Sequence, residues 1–412
     1  MDARALAALA AERVDWRFKG LPPGTAGRTV GELAAARLNV FRDGFTTPLL
    51  VLDAAAVDHD IDVVARFAAE HGMALAPHGK TTMAPQIFAR QLARGAWGLT
   101  AATAAQLRVY RAFGVRRVFL ANELVDAAAL GWLAAELAAD SGFVFRAYVD
   151  SVEGVRLMDA GLGAAPASGP VDVVVELGAA GGRTGCRTDS EARRVAQAVA
   201  ECSTLRLVGL AGYEGAVPDV EAFLARLRAA AYAFDAEGRF ADATEIVVSA
   251  GGSAHFDSVA RHLGGPWSLS RPVCALLRSG AYVAHDDGLY ARVSPLRGVL
   301  QPALRLWSQV VSVPEPGLAL LNFGKRDASY DEGLPVVLAG RRGDGTRIDI
   351  SGRIEKLNDQ HAFLVLPAGS GLAVGDWVVC GLSHPCTVFD KWQLIPLVDE
   401  AGTAVEYVRT FF

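Results

Sequence analysis

Cysteine is scarce in this chain, with five residues in 412: Cys186, Cys202, Cys274, Cys380 and Cys386. Their irregular spacing offers no disulfide framework and fits a reducing compartment. Charge of either sign is not in large excess. The 40 Lys and Arg stand against 45 Asp and Glu, a net charge of -5. The basic field that nucleic acid demands is therefore absent, as is the polybasic tract that would hold a membrane surface. No apolar run reaches the ~20 residues of a membrane-spanning helix. The opening residues, MDARALAALAAERVDWRFKG, are broken by Asp2, Arg4 and Glu12 and lack the apolar core of a signal peptide. Low-complexity linkers are missing too, as are internal repeats beyond a βα period. Together these absences lead us to expect a cytoplasmic protein.

What is present is a long chain that is 51% hydrophobic, enough for two or three domains and a large core. Residues 1 to 20 read as one amphipathic helix, ended by Leu21-Pro22-Pro23-Gly24 because prolines supply no ladder donors. Thr46 to Asp53 reads as a strand, and Ala54 to His71 as a helix closed by Gly72. Short apolar runs then recur at 74–77, 97–100, 117–121, 143–149, 171–177, 206–211, 245–249 and 273–277. Between them lie helical patterns such as Ser190 to Cys202 and Val220 to Ala236. Eight strands alternating with helices predict a closed (β/α)8 barrel of the TIM type. Beyond Tyr290 the helical period stops, and short alternating runs separated by turns predict a C-terminal all-β domain. The expected organisation is an N-terminal extension over 1–45, a barrel over 46–291 and a β domain over 292–412.

Barrel chemistry sits at the carboxyl ends of the strands. Here those ends carry His78 and Lys80, Thr100 and Thr103, Asn122 and Glu123, Asp150, Glu176 and Arg183, and Tyr213 and Glu214. The last two carry Ser249 to Ser253 and Arg278 to Tyr282. Loops are polar in any protein, which accounts for part of this pattern. It does not account for the glycines and hydroxyls gathered after strands seven and eight. Gly251, Gly252, Ser253 and Gly280 present backbone N–H groups that can cradle a phosphate, although a Gly-Gly-Ser sequence is also an ordinary turn. The run GAAGGRTG, Gly178 to Gly185, has the wrong spacing for a dinucleotide fingerprint and is set aside. In the β domain, His384 and Cys386 lie two apart. In an extended segment they would face the same way and offer nitrogen and sulfur to one ion, a donor set that suits zinc. The other reading is a buried cysteine beside a hydrogen-bonded histidine.

Five stretches, taken together, carry a resemblance. Pro77-His78-Gly79-Lys80-Thr81, Gly95 to Thr103 (GAWGLTAAT), Gly182-Arg183-Thr184-Gly185, Gly212-Tyr213-Glu214-Gly215 and His384-Pro385-Cys386 occur in the order found in the D-serine dehydratase and D-threonine aldolase family. The chain resembles that family from about Thr46 to its C-terminus. The resemblance implies a pyridoxal-phosphate barrel of the alanine racemase-like fold (fold type III). Lys80 would bind the cofactor covalently, with His78 beside it. Gly251, Gly252, Ser253 and Gly280 would hold its phosphate. Arg183 would serve the cofactor's phenolic oxygen and the substrate carboxylate, and Tyr213 would lie beside the ring. His384 and Cys386 would bind zinc as in the dehydratase branch, the aldolase branch having aspartate where Cys386 stands. The implied activity is conversion of a D-β-hydroxy amino acid to a 2-oxo acid and ammonia. The alternatives are aldol cleavage to glycine and an aldehyde, or a non-catalytic cofactor-binding role that would not need the β domain. A racemase of this fold takes its second base from Gly-Tyr-x-Asp-Gly, and no such stretch follows residue 290. The implied assembly is a head-to-tail homodimer in which one subunit's β domain completes the other's site. Two departures stand out. Ser279-Gly280-Ala281 replaces the family's Pro-Gly-Asn, and Asn322 to Pro335 (NFGKRDASYDEGLP) has no assigned role beyond its closeness to bacterial members often called amino acid deaminases.

Overall fold

The computed structural model describes residues 1–163, 169–367 and 369–412. They divide into two compact units, the first built chiefly from Val64–Lys80 and Gln91–Gly280. Within it lie eight strands: Ala74–Leu75 (β1), Leu99–Ala101 (β2), Arg117–Glu123 (β3), Val144–Val149 (β4), Val171–Leu177 (β5), Leu205–Gly212 (β6), Ile246–Ala250 (β7) and Val273–Leu277 (β8). All pair in parallel, in the order β1-β8-β7-β6-β5-β4-β3-β2. A parallel bridge between His78 and Thr100 closes the ring, with Thr100 N donating to Pro77 O at 2.9 Å and Trp97 N to Leu75 O at 2.7 Å. The expected eight-stranded α/β barrel is present. The residues of β5, VDVVVEL, are buried at every position but Asp172. A β-branched run of this kind is what a strand covered on both faces requires. The helix Asp189–Ala200 opens with Thr188 and Glu191 in a capping box and buries Ala192, Val195, Ala196 and Val199. That spacing is the stripe by which a helix covers a sheet.

The second unit comprises Asp2–Val63, Thr81–Arg90 and Ala281–Phe412. Its main sheet runs Arg347–Ile348, Val336–Arg341, Trp377–Gly381, Leu304–Glu315, Leu49–Asp53, Leu394–Val398, Ala404–Arg409. Leu304–Glu315 also carries a second ladder through Leu318–Leu321 and Ala362–Val365 to Arg353–Leu357. Every pairing is antiparallel except that of Leu49–Asp53 with Leu394–Val398. The expected C-terminal β domain is thus present. The strand Leu49–Asp53, which the sequence places in the barrel segment, is paired inside this sheet, with Leu50 opposite Leu306 and Leu52 opposite Leu397.

One expected element is much shorter than its pattern. The helix over residues 1 to 20 spans only Ala3–Leu9, capped by the Asp2 side chain. Beyond it Arg13 bridges Thr29, and Val14 donates to Arg28 O at 2.8 Å and accepts from Gly27 N at 2.7 Å. Val14 and Phe18 are buried in one cluster with Val30, Leu33, Leu49 and Leu394. Burial of large side chains is worth more than the helix propensity of an alanine-rich run, so tertiary packing ends the helix early. No helix among the described residues is long and apolar enough to cross a membrane.

Candidate functional site

The chain has five lysines, Lys19, Lys80, Lys325, Lys356 and Lys391, and Lys80 is the one in the barrel unit. It sits in the short 3-10 turn Gly79–Thr81 just past β1. His78 N donates to Arg278 O at 3.1 Å, joining the ends of β1 and β8. A side chain at Gly280 would run into the His78 carbonyl and lie 2.7 Å from its Cβ, so this close approach requires glycine. His78 Nδ1 is buried without a hydrogen-bond partner among the described residues. Burial pushes the His78 pKa well below its usual value, and the cations Lys80, Arg278 and Arg183 push in the same direction. The imidazole is therefore neutral and faces a positive field.

The loops after β6, β7 and β8 are bolted to one another. Glu214, fully buried, accepts from Gly251 N at 3.0 Å and Gly252 N at 2.5 Å. Ser279 Oγ donates to Gly252 O at 2.9 Å. Buried Arg278 donates to Gly212 O at 2.8 Å and Ser249 Oγ at 3.1 Å. Arg183 lies over the Tyr213 ring, 4.6 Å from its centroid. Two of the four expected phosphate donors, the Gly251 and Gly252 N–H groups, are thus committed to Glu214. Among the described residues, the Ser253 and Gly280 N–H groups make no hydrogen bond. Open N–H groups on glycine-rich loops, together with a neutral imidazole and three cations around it, one of them the lysine at a strand end, fit a phosphorylated aldehyde cofactor. The sequence placed Glu214 and Arg278 at strand ends but gave them no task. The available signal was a charged residue directly after an apolar strand, where burial demands a partner.

Three carboxylates stand at neighbouring strand ends: Glu123 in β3, Asp150 after β4 and Glu176 in β5, their ligand atoms all within 4.8 Å of one another. Burial raises Glu123 to about 8, reinforced by the negative charges of Glu176 and Asp150. Glu176 is also raised by burial, opposed by hydrogen bonds from Thr184 and Glu123 and by the cations Arg278 and Arg183. The consequence for stability has a definite sign. Between the ordinary value of 4.5 and about 8, the folded chain keeps a proton on Glu123 that the unfolded chain releases. Stability is present below that window and falls as pH rises through it. Denaturation at pH 5 and pH 8 should show the wild type losing on the order of 1 kcal/mol or more that Glu123→Gln retains. Equal pH slopes in the two proteins would refute the assignment.

In the second unit, His384 and Cys386 do not lie in an extended segment as expected. His384 adopts φ +60°, and Pro385–Thr387 forms a 3-10 turn. The left-handed residue, fixed by its N–H to Asp286 Oδ2 at 2.9 Å, turns the chain so that imidazole and thiol meet. Asp286 is buried, and its other oxygen accepts from Gly288 N at 2.9 Å and Tyr290 N at 2.7 Å. Cys386 Sγ lies 3.2 Å from Thr81 Oγ1. The hydrogen bond to Cys386 is the largest influence on His384, and together with Asp331 it raises the imidazole to about 9. A nitrogen and a sulfur converging in one turn fit a zinc-type ion and leave further positions for water or substrate.

An eight-stranded parallel barrel bearing a lysine after its first strand, in a chain that ends in an antiparallel β domain, defines an enzyme of the alanine racemase-like, fold type III class. The chain belongs to the family described as alanine racemase, N-terminal domain, which matches residues 52–266, more than half its length. Residues 303–398 match a putative serine dehydratase domain. The family is pyridoxal-phosphate-dependent. Among characterised proteins, the chain is 26% identical to a D-threonine aldolase of Arthrobacter sp over 71% of this chain and 75% of the relative. It is 27% identical to a 3-hydroxy-D-aspartate aldolase of Paracoccus denitrificans, with the same coverage. Among solved structures, D-threonine aldolase from Filomicrobium marinum superposes with a TM-score of 0.74 at 26% identity, covering 89% of this chain and 95% of that one. D-threo-3-hydroxyaspartate dehydratase from Delftia sp. HT23 shares the fold, with a TM-score of 0.68 at 19% identity over 89% of this chain and 98% of its own.

Proposed function

We propose that the protein is a pyridoxal-phosphate- and zinc-dependent lyase that removes water from a D-β-hydroxy amino acid such as D-serine or D-threonine. The products are a 2-oxo acid and ammonia. The observation that carries the reading is the imidazole and thiol of His384 and Cys386 meeting in one turn, in a chain whose barrel has a single lysine. When bound, pyridoxal phosphate supplies an electron sink for the substrate's α-carbon, and zinc supplies a Lewis acid for its β-oxygen. Lys80 Nζ would hold the cofactor and, once released by the incoming substrate, take the α-proton. The Ser253 and Gly280 N–H groups would bind the phosphate, with Gly251 and Gly252 setting the loop through Glu214. His78, kept neutral, would pack beside the cofactor without adding charge. Hydroxide is a poor leaving group, because the pKa of water is ~15.7. That difficulty is the reason an elimination here calls on His384 and Cys386. The enamine so formed hydrolyses to the oxo acid.

Aldol cleavage is the second reading, favoured by the aldolase activities named for the curated relatives. The experiment is incubation with D-serine, D-threonine and D-3-hydroxyaspartate. Ammonia and 2-oxo acid in equal amounts without glycine support the dehydratase, glycine with aldehyde replaces it with the aldolase, and neither product overturns both.

Arg183 should bear on substrate rather than cofactor. Its guanidinium can fork onto a carboxylate, and a lysine ammonium cannot reproduce that planar contact. Arg183→Lys is expected to lower kcat/KM roughly 10- to 100-fold, the worth of a charge-assisted hydrogen bond, while cofactor absorbance is retained. Wild-type kinetics in this variant would make Arg183 a structural residue of the rim.

A further inference from the structure

The stretch Asn322 to Pro335, which neither the sequence nor the proposed chemistry explains, is fastened down along its length. Asn322 accepts from Gln309 N at 2.8 Å and donates to Thr47 O at 3.0 Å. Buried Asp327 accepts from Lys19 Nζ at 2.8 Å, and its carbonyl takes the Trp392 indole N–H at 2.9 Å. Ser329 Oγ donates to the Ser383 carbonyl, and Ser383 Oγ donates to Glu332 O at 2.8 Å. The strap is therefore tied on both sides of one residue, Asp331, to the residue that precedes His384.

Asp331 points both oxygens at the turn. Oδ2 lies 2.6 Å from His384 Nδ1, and Oδ1 accepts from Thr387 Oγ1 at 2.9 Å. Both oxygens are thus engaged with the turn, and the carboxylate is occupied in holding the ring. A carboxylate beside Nδ1 accepts a hydrogen bond from the N–H there, which holds the proton on Nδ1, fixes the tautomer and leaves Nε2 as the nitrogen that can ligate. The same carboxylate reaches Thr387, across Cys386, so one side chain sets the geometry of the whole turn.

We propose that Asp331 is the positioning residue of the metal site: it orients the His384 ring, directs Nε2 to the ion and raises the basicity of the ligand, without itself coordinating. This role rests on the reading of His384 and Cys386 as metal ligands. It assigns the strap the task of presenting a carboxylate at a fixed place, since an aspartate on a loose loop would lose the advantage to side-chain and backbone entropy.

The test is metal affinity, measured with zinc against a chromophoric chelator on the full-length protein, with cobalt absorption as a second readout of ligand geometry. Wild type should bind one ion per chain, and His384→Ala should lose it. Asp331→Ala is expected to bind 10- to 100-fold more weakly, the usual cost of removing the carboxylate behind a metal-bound histidine, and to shift the cobalt bands. Asp331→Asn, which keeps an acceptor for the ring N–H but not the charge, should fall between the two and answers for any folding defect in the alanine variant. Metal-free melting temperature is followed alongside. Unchanged zinc affinity and cobalt spectrum in the asparagine variant would overturn the proposal, as would a loss of affinity matched by an equal loss of folded protein. A wild type that binds no zinc would instead overturn the metal reading itself and take this inference with it.

Discussion

Replacing Lys80 with alanine is expected to abolish both the yellow cofactor absorbance that survives gel filtration and the cofactor adduct that borohydride fixes to protein. The barrel unit offers no second lysine, and the cations Lys80, Arg278 and Arg183 act on His78 at the end of β1, where the proposed cofactor would be held. Turnover should fall by at least 10²- to 10⁴-fold, the range for loss of a general base. Loss of covalent attachment should push it further. Peptide mapping of the borohydride-treated wild type checks the position directly. An adduct found on Lys325 in both proteins would remove Lys80 from the chemistry.

The second large effect belongs to Cys386. If His384 and Cys386 are the metal ligands proposed above, Cys386→Ala leaves one protein ligand where two converged, and one imidazole does not hold a zinc ion against a chelator. The variant should purify with less than a tenth of the wild-type metal content. Ammonia release from D-serine should drop on the order of 10³-fold, because the lost Lewis acid is worth several kcal/mol and each 1.36 kcal/mol is tenfold in rate. Cofactor binding should be unaffected. Cys386→Asp replaces a soft ligand with a hard one, so it is expected to recover some metal and shift products from 2-oxo acid toward glycine. Full ammonia release from metal-free Cys386→Ala would return the His-Pro-Cys stretch to a role in packing.

Much of this was readable from residues alone, and the reason differs by element. The barrel strands announce themselves because a strand covered on both faces has to be apolar and β-branched along its length, as Val171–Leu177 is. Lys80, His384 and Cys386 drew attention in the sequence because their chemistry and local spacing are uncommon together, and the roles proposed for them rest on that. Leu49–Asp53 was legible as a strand but not by sheet. Its partners Leu304–Glu315 and Leu394–Val398 lie far along the chain, and periodicity carries no record of register between distant segments. The first twenty residues misled for a related reason, since the packing of Val14 and Phe18 is decided by residues 30, 33, 49 and 394. Asp331 was hidden because only tertiary structure brings it to His384. The convergence of His384 and Cys386 was expected, but the left-handed turn that achieves it was not.

In the proposed mechanism, proton removal at the α-carbon and departure of the β-hydroxyl are separate tasks, the first resting on Lys80 and the second on the metal that His384 and Cys386 would hold. The direct test is D-serine in deuterium oxide, with α-carbon exchange and ammonia release followed side by side, first in chelator-treated enzyme and then with zinc restored. The account predicts exchange at close to the normal rate in the metal-free enzyme, with ammonia release nearly absent and returning with zinc. Ammonia release at full rate with no metal detectable, or loss of exchange together with ammonia release, would contradict it.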